Sequence, residues 1–186
     1  LRPQLSPVEL PKLNLLAAVA LSRAVNATLG FRPLVKWPND LYYQNRKLSG
    51  ILTEVGGELG RLEYVVLGVG INVNQRADDF PTDLRVKAGS LRMVGGRPVD
   101  RKTLLRQYLY DFEKEYLFAL KHGFTQVLDY CRMHTATLGR QVEVNNGSQI
   151  YRGQAVEIAD DGALIIEHDG QRSRVLAADV QPLTET

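Results

Sequence analysis

The chain has 186 residues, 44% of them apolar and 24% charged, with a formal net charge of +2 from 23 basic and 21 acidic side chains. That is the size and balance of one ordinary globular domain plus a small appendage, and too even a charge to drive nucleic-acid or membrane-surface binding. A single cysteine, Cys131, excludes an intrachain disulfide and fits a reducing cytoplasm; no apolar run approaches the roughly 20 residues of a bilayer span.

In chain order, SPVE at residues 6–9 matches a capping box with Pro7 at the first helical position. Pro11 would remove an amide in the second turn of such a helix, so a start near Pro11 is the other option. Leu13, Leu16, Ala17, Ala20, Leu21, Ala24 and Val25 recur at three and four, predicting a helix with one apolar face that stops at Gly30. Strand-like stretches follow: LVKW, then LYYQ after WPND, a turn at NR, then KLSGILTEV, with GGELGR as a Gly-rich hairpin turn. Residues 62–73, LEYVVLGVGINV, read as a central strand covered on both faces. Residues 75–100 read as an irregular surface loop. Asp100 is placed to cap a second helix whose apolar face would be Leu104, Leu105, Tyr108, Leu109, Phe112, Tyr116, Leu117 and Leu120. Gly123 breaks it, and a third helix is expected over about 124–134. Beyond Ala136 the turns NNGS, DDG and HDG predict four or five short strands in a small antiparallel barrel or sandwich. The expected fold is α+β over residues 1–136, followed by a β module over 137–186.

Several chemistries are excluded. His122, His134 and His168 have no metal-ligand spacing. There is no nucleophile elbow and no phosphate loop. GVG, Gly68 to Gly70, lacks the third glycine and the helix start of a dinucleotide fingerprint. Taken alone, WPND reads as a strand-to-strand turn: Pro38 presets φ, and Asn39 and Asp40 can bond their own backbone. Asn39 also carries the donors and acceptor that suit an adenine edge, and Asp40 could hold magnesium. Trp37 reads as packing, and Lys47 alone as a solvated lysine at a hairpin end. Gly50, Gly68 and Gly70 weaken strands and mark close approach of a backbone or a ligand. Asn72, polar in an apolar run, must find partners if buried. Together they describe a glycine-bared sheet surface with one cation and two amides, suited to a flat apolar ligand that carries a phosphate.

KWPNDLYYQNRKLSGILTEV followed by VVLGVGINVN resembles the core of the biotin protein ligases. The downstream GRPVDRKTLLRQYL and LGRQVEV…GQAVEIADDGALIIE follow the same layout, with residues 75–95 the loosest part. The resemblance implies a catalytic domain related to class II aminoacyl-tRNA synthetases, a mixed sheet with helices, then a small β-barrel of the Src-homology-3 (SH3-like) kind. It implies two steps: biotin and ATP give biotinyl-5'-AMP, with magnesium, and biotin is then passed to a lysine of a biotin carboxyl carrier protein. Lys47 matches the catalytic position that bridges the biotin carboxylate and the phosphate. Asn39 and Asn72 match positions near the adenine, and Asp40 one linked to the nucleotide and to Mg2+ through its phosphates. Gly50, Ile51, Leu52, Gly68 and Gly70 would line the biotin pocket. The lone cysteine, the balanced charge and the lack of a long apolar run point to a cytoplasmic protein with no nucleic-acid or membrane partner for this chain, and the resemblance makes a sheet-edge homodimer possible.

Two departures stand out. The family's Gly-Arg-Gly-Arg biotin loop, placed shortly before the first helix, and the upstream helix-turn-helix of some members have no counterpart in this sequence. The final strand reads AADV where a glycine is expected before the aspartate. The chain therefore resembles the C-terminal two-thirds of a ligase, expected to be weak or inactive alone. Alternatives are a lipoate-ligase-like acyl-adenylating enzyme and a non-catalytic ligand-binding or dimerisation module.

Overall fold

The computed structural model describes residues 1–57, 63–147 and 149–183. Its central helix, α1, spans Pro11–Leu29 and is buried without a break from Leu15 to Ser22. The apolar face read from the sequence is thus widened to the whole circumference, as in a helix enclosed on every side. The capping box exists, with the Ser6 N–H donating to Glu9 Oε2 at 3.1 Å. It closes only a 3-10 turn over Pro7–Glu9, and α1 begins at Pro11. Gly30 ends α1 at φ 79°, a left-handed conformation in which its N–H bonds the Asn26 carbonyl.

Four strands follow: β1 (Leu34–Lys36), β2 (Asp40–Tyr43), β3 (Arg46–Gly56) and β4 (Tyr64–Ile71), paired in that order. The resemblance implies a mixed sheet; the ladders between these strands are antiparallel, and parallel pairing appears in the isolated bridges Val35–Thr135 and Lys47–Ala88. The β2–β3 turn is centred on Gln44 and Asn45, at φ 48° and 61°, one residue earlier than expected. Two successive positive φ values give the twist that a tight hairpin needs. The expected GGELGR turn lies outside the described residues beyond its first two glycines.

Among the described residues β4 is the last strand of this sheet, and one of its faces is open rather than covered as expected from its apolar run. Its burial alternates: Val65 is in the core, while Tyr64, Val66, Gly68 and Gly70 lie on an open face. An apolar run cannot by itself distinguish two covered faces from one face bared by glycine. On its outer side, Val65 exchanges both backbone hydrogen bonds with Leu1.

The expected loop over 75–100 contains a 3-10 turn, Ala77–Asp79, and a short helix, α2 (Leu91–Gly95), capped by Ser90 Oγ accepting from the Met93 N–H. α3 (Arg101–His122) is capped by Asp100 as read from the sequence. Its buried stripe is narrower than expected: Leu104, Tyr108, Glu115 and Ala119 face inward, whereas Leu105, Leu109, Leu117 and Leu120 are exposed. α3 rests on α1 along one line of contact, so residues one position off that line point outward. α4 spans Thr125–Met133.

The second sheet comprises β5 (Gln141–Asn145), β6 (Ile150–Ile158), β7 (Leu164–His168), β8 (Gln171–Val175) and β9 (Asp179–Pro182), in the order β8-β7-β6-β5-β9. It is the small antiparallel β module expected, with its strands not closed into a barrel. β9 returns to pair with β5, Val144 opposite Val180, which leaves β8 and β9 at opposite edges. Val142, Val144, Ala155, Ile166 and Val180 from this sheet join the same apolar cluster as α1.

Hydrogen bonds from Trp37 and from α4 hold the second sheet against the rest of the molecule. Trp37, 1% exposed, donates its backbone N–H to Thr137 Oγ1 at 2.9 Å and its indole N–H to the Gly162 carbonyl at 2.8 Å. Arg132 of α4 donates to the Ile158 carbonyl at 2.8 Å. Among the described residues no helix is long and apolar enough to cross a membrane.

Candidate active site

The WPND segment turns between β1 and β2 through a cis Trp37–Pro38 peptide, and Lys36 and Asp40 face each other across the turn. Asn39 is committed to more than the turn. Its Nδ2 donates to the Ile51 carbonyl at 2.7 Å and its carbonyl accepts from the Ile51 N–H at 2.9 Å. The turn is thereby folded onto β3.

That fold brings one carboxylate between two lysines. Asp40 Oδ1 lies 2.6 Å from Lys47 Nζ, and Oδ2 lies 3.9 Å from Lys36 Nζ. The three side chains differ sharply in exposure: 10% for Asp40, 43% for Lys47 and 4% for Lys36. Lys47 is the second residue of β3, where its N–H bonds the Lys87 carbonyl and its carbonyl accepts from the Gly89 N–H. Its side chain lies back over Gly50. A Cβ at Gly50 would sit 3.2 Å from Lys47 Cε and Nζ and 3.3 Å from Asp40 Oδ1, so glycine is what lets the ammonium reach the carboxylate.

The β3–β4 ladder pairs Gly50 with Gly70 and Leu52 with Gly68. These four residues share the open face, where Leu52 is 61% exposed and a Cβ at Gly68 or Gly70 would meet nothing closer than a carbonyl oxygen at 3.7 Å. The structure therefore brings Gly50, Leu52, Gly68 and Gly70 together on one exposed sheet face, called the trough below, with Lys47 and Asp40 beside Gly50 at one end. Ile51 is the exception. Its side chain points the other way, into the core, and only its backbone faces this region. Asn72 follows β4 and ties the Lys47 end together: its N–H bonds the Leu48 carbonyl at 2.9 Å, its Nδ2 the Lys47 carbonyl at 3.4 Å, and its carbonyl the Leu91 N–H at 2.9 Å.

Sequence reasoning missed Lys36 and Tyr42. Burial pulls the Lys36 ammonium below the ordinary lysine range, partly offset by the nearby carboxylates of Asp40 and Asp179. Burial, with Asp40 and Asp179 in support, pushes the Tyr42 phenol up to about 12. The signal was in the text, since WPND is preceded by a lysine, but a strand lysine usually reads as solvated.

Other clusters do not compete. Among the described residues no three His, Cys, Asp or Glu side chains are grouped to hold a metal ion. His168 contacts Ser173 Oγ at 2.9 Å, in a surface depression of about 630 Å³ that includes Tyr151. Its acidic neighbour Asp169 is fully exposed and 4.0 Å from Nδ1, too loose to orient a general base. Cys131 is fully buried, and burial pushes its thiol up to about 12, which makes it a core residue rather than a nucleophile.

Residues 6–72 match the Biotin/lipoate A/B protein ligase family, and residues 137–181 match the biotin protein ligase C-terminal domain. The chain belongs to the biotin protein ligase family. A relative, the bifunctional ligase/repressor BirA of Bacillus spizizenii, is 35% identical over 97% of this chain and 56% of its own length. The biotin–[acetyl-CoA-carboxylase] ligase of Mycobacterium tuberculosis is 33% identical over 90% of this chain and 61% of its own. The chain thus spans little more than half the length of the curated biotin ligases it matches. The biotin protein ligase of Aquifex aeolicus in complex with biotin and ATP superposes with a TM-score of 0.84 at 26% identity, over 96% of this chain and 76% of that one. Its apo structure gives 0.86 over 96% and 80%.

Proposed function

We propose that the chain carries the lysine-bearing half of an ATP-dependent biotin–protein ligase site. The observation that supports this most is the Lys47 ammonium, held by Asp40 over Gly50 at the end of the trough formed by Gly50, Leu52, Gly68 and Gly70. A biotin carboxylate placed there would bring its negative charge beside Lys47. Its ring and tail would lie along Leu52 and the bared glycine backbone, which suits an apolar ligand with one charged end.

In the first step a carboxylate oxygen forms a bond to the α-phosphorus of ATP as the bond to pyrophosphate breaks. In the second, a carrier lysine amine attacks the acyl carbon and AMP leaves. No protein nucleophile is needed. Lys47 lowers the repulsion between carboxylate and phosphate and holds them in line. Asn39 and Asn72 stand on the nucleotide side, although their Nδ2 groups here serve the protein's own carbonyls. Asp40, already flanked by two ammonium groups, does not fit as a metal ligand, so magnesium is assigned to the ATP phosphates. The acceptor is a biotin carboxyl carrier protein in the cytoplasm. A sheet-edge homodimer is the assembly that the family reading implies. The sheet-bearing catalytic part is taken as residues 1–136 and the β module as 137–186.

Lipoate is the rival acid, because the matched family includes both ligases. Biotin-dependent ATP–pyrophosphate exchange, measured in the natural polypeptide that carries this chain, separates them. Exchange at least about tenfold faster with biotin than with lipoate is expected; equal or reversed rates overturn the assignment of biotin.

A further inference from the structure

Asp40 has two cationic neighbours of opposite character. Lys47 is half exposed, in hydrogen-bond contact, and borders the open trough. Lys36 is buried and stands off at 3.9 Å on the other carboxylate oxygen. A lysine this deep is unfavourable on its own account, and a carboxylate at 3.9 Å compensates it only in part. Its surroundings are built around its charge: the Tyr42 ring lies 5.4 Å from its Nζ, and Asp179 of β9 acts on it from the second sheet.

An anionic substrate at Lys47 must compete with Asp40 for the same ammonium. Were Lys47 the sole partner, its departure would leave a buried carboxylate uncompensated. We propose that Lys36 is a positioning residue, a fixed cation that holds Asp40 from behind so that Lys47 can leave it for an incoming carboxylate or phosphate. The inference rests on the assignment of Lys47 above and deepens it. One lysine is the stationary counter-ion and the other the mobile reagent. Trp37, clamped to Thr137 and Gly162, follows Lys36 directly in the chain and fixes its backbone against the second sheet. Asp179, itself held by Gln181 Nε2 at 2.7 Å, makes that sheet part of the electrostatics of the site.

The test reads Lys47 without any substrate. The natural polypeptide that carries this chain is treated, free of substrate, with an amine-acylating N-hydroxysuccinimide ester near neutral pH, and acylation of Lys47 is followed by peptide mass spectrometry. In Lys36→Met the lysine is drawn harder onto Asp40, and labelling is expected to slow at least about threefold. In an Asp40→Asn background the same change is expected to have little effect, because the competition has been removed. Equal slowing in both backgrounds, or no slowing in a folded Lys36→Met protein, overturns the proposal. If Lys36→Met does not fold, the exposed variant Asp179→Asn decides. Losing that carboxylate leaves Lys36 more firmly on Asp40, so Lys47 is expected to label faster; an unchanged or slower rate overturns the proposal. Because no substrate is present, failure of the biotin assignment in the exchange assay leaves this outcome separate.

Discussion

Trp37 donates its indole N–H to the carbonyl of Gly162, 125 residues further along the chain, at 2.8 Å. The residue that opens the WPND turn is thus held by a turn of the second sheet. Gly162 sits at φ 88°, and a Cβ there would lie 3.2 Å from Lys12 Cγ of α1, so the chain passes this point closely as well as in a left-handed conformation. Trp37→Phe keeps most of the packing but leaves a buried carbonyl without its donor. A loss of about 1–3 kcal/mol is expected, read as a lower urea midpoint with an unchanged slope. A midpoint equal to wild type would show that the bond contributes nothing.

The open-face glycines separate a stability role from a ligand role. A Cβ at Gly68 meets only the Leu52 carbonyl, at 3.7 Å, so Gly68→Ala is expected to leave stability unchanged or slightly raised, by up to about 1 kcal/mol. The same methyl would occupy the trough. Affinity for a non-hydrolysable biotinyl-5'-AMP analogue, measured by calorimetry in the natural polypeptide, is expected to fall at least about tenfold. Unchanged affinity would remove Gly68 from the site.

At Gly50 the crowding is on the protein's own groups. A Cβ there falls 3.2 Å from Lys47 Nζ, so Gly50→Ala pushes on the ammonium where it sits on Asp40. Thermal stability is expected to change modestly, while biotin-dependent pyrophosphate exchange falls at least about tenfold. Full exchange in this variant would show that the Lys47–Asp40 geometry is not needed.

Much of this arrangement was legible in the sequence, for identifiable reasons. α1, the Asp100 cap and the Gly30 stop were readable because helix periodicity and capping are local. Gly50, Gly68 and Gly70 stood out because breakers inside strand-like runs need a cause, and Lys47 stood out through the resemblance of its motif, not through its own pattern. What failed was set by neighbours. An apolar run read β4 as covered on both faces, although its glycines bare one of them. Leu105 and Leu109 looked buried because α3 was given a wide stripe, and its actual contact with α1 is narrow. Closure of the second sheet depended on whether β9 joined β8 or β5, which turn spacing does not encode. Lys36 was passed over because burial of a strand lysine is visible only when the second sheet is in place.

Cys131 gives the alkaline limb of stability. Its folded thiol is pushed up to about 12 by burial, whereas an unfolded thiol titrates near about 8.5. Between these values the unfolded chain has lost a proton that the folded chain keeps. Stability from this group is therefore complete below about pH 8.5 and declines as pH rises, by about 1.4 kcal/mol per pH unit. Tyr42, pushed up to about 12, adds a decline of the same sign that begins near about pH 10. Urea midpoints from neutral pH to about 9.5 are expected to fall less steeply in Cys131→Ala than in wild type. Parallel curves would mean that the thiol does not contribute.

The central claim is that Lys47 is the cation that lets a carboxylate meet a phosphate on this sheet. The most direct test is biotin-dependent ATP–pyrophosphate exchange in the natural polypeptide, comparing wild type with Lys47→Ala, with the thermal transition as a control for folding. A loss of at least about a hundredfold with the transition retained is the expected result. Near-normal exchange in a folded Lys47→Ala protein would contradict the role given to Lys47, and with it the reading of this trough as the site of acyl activation.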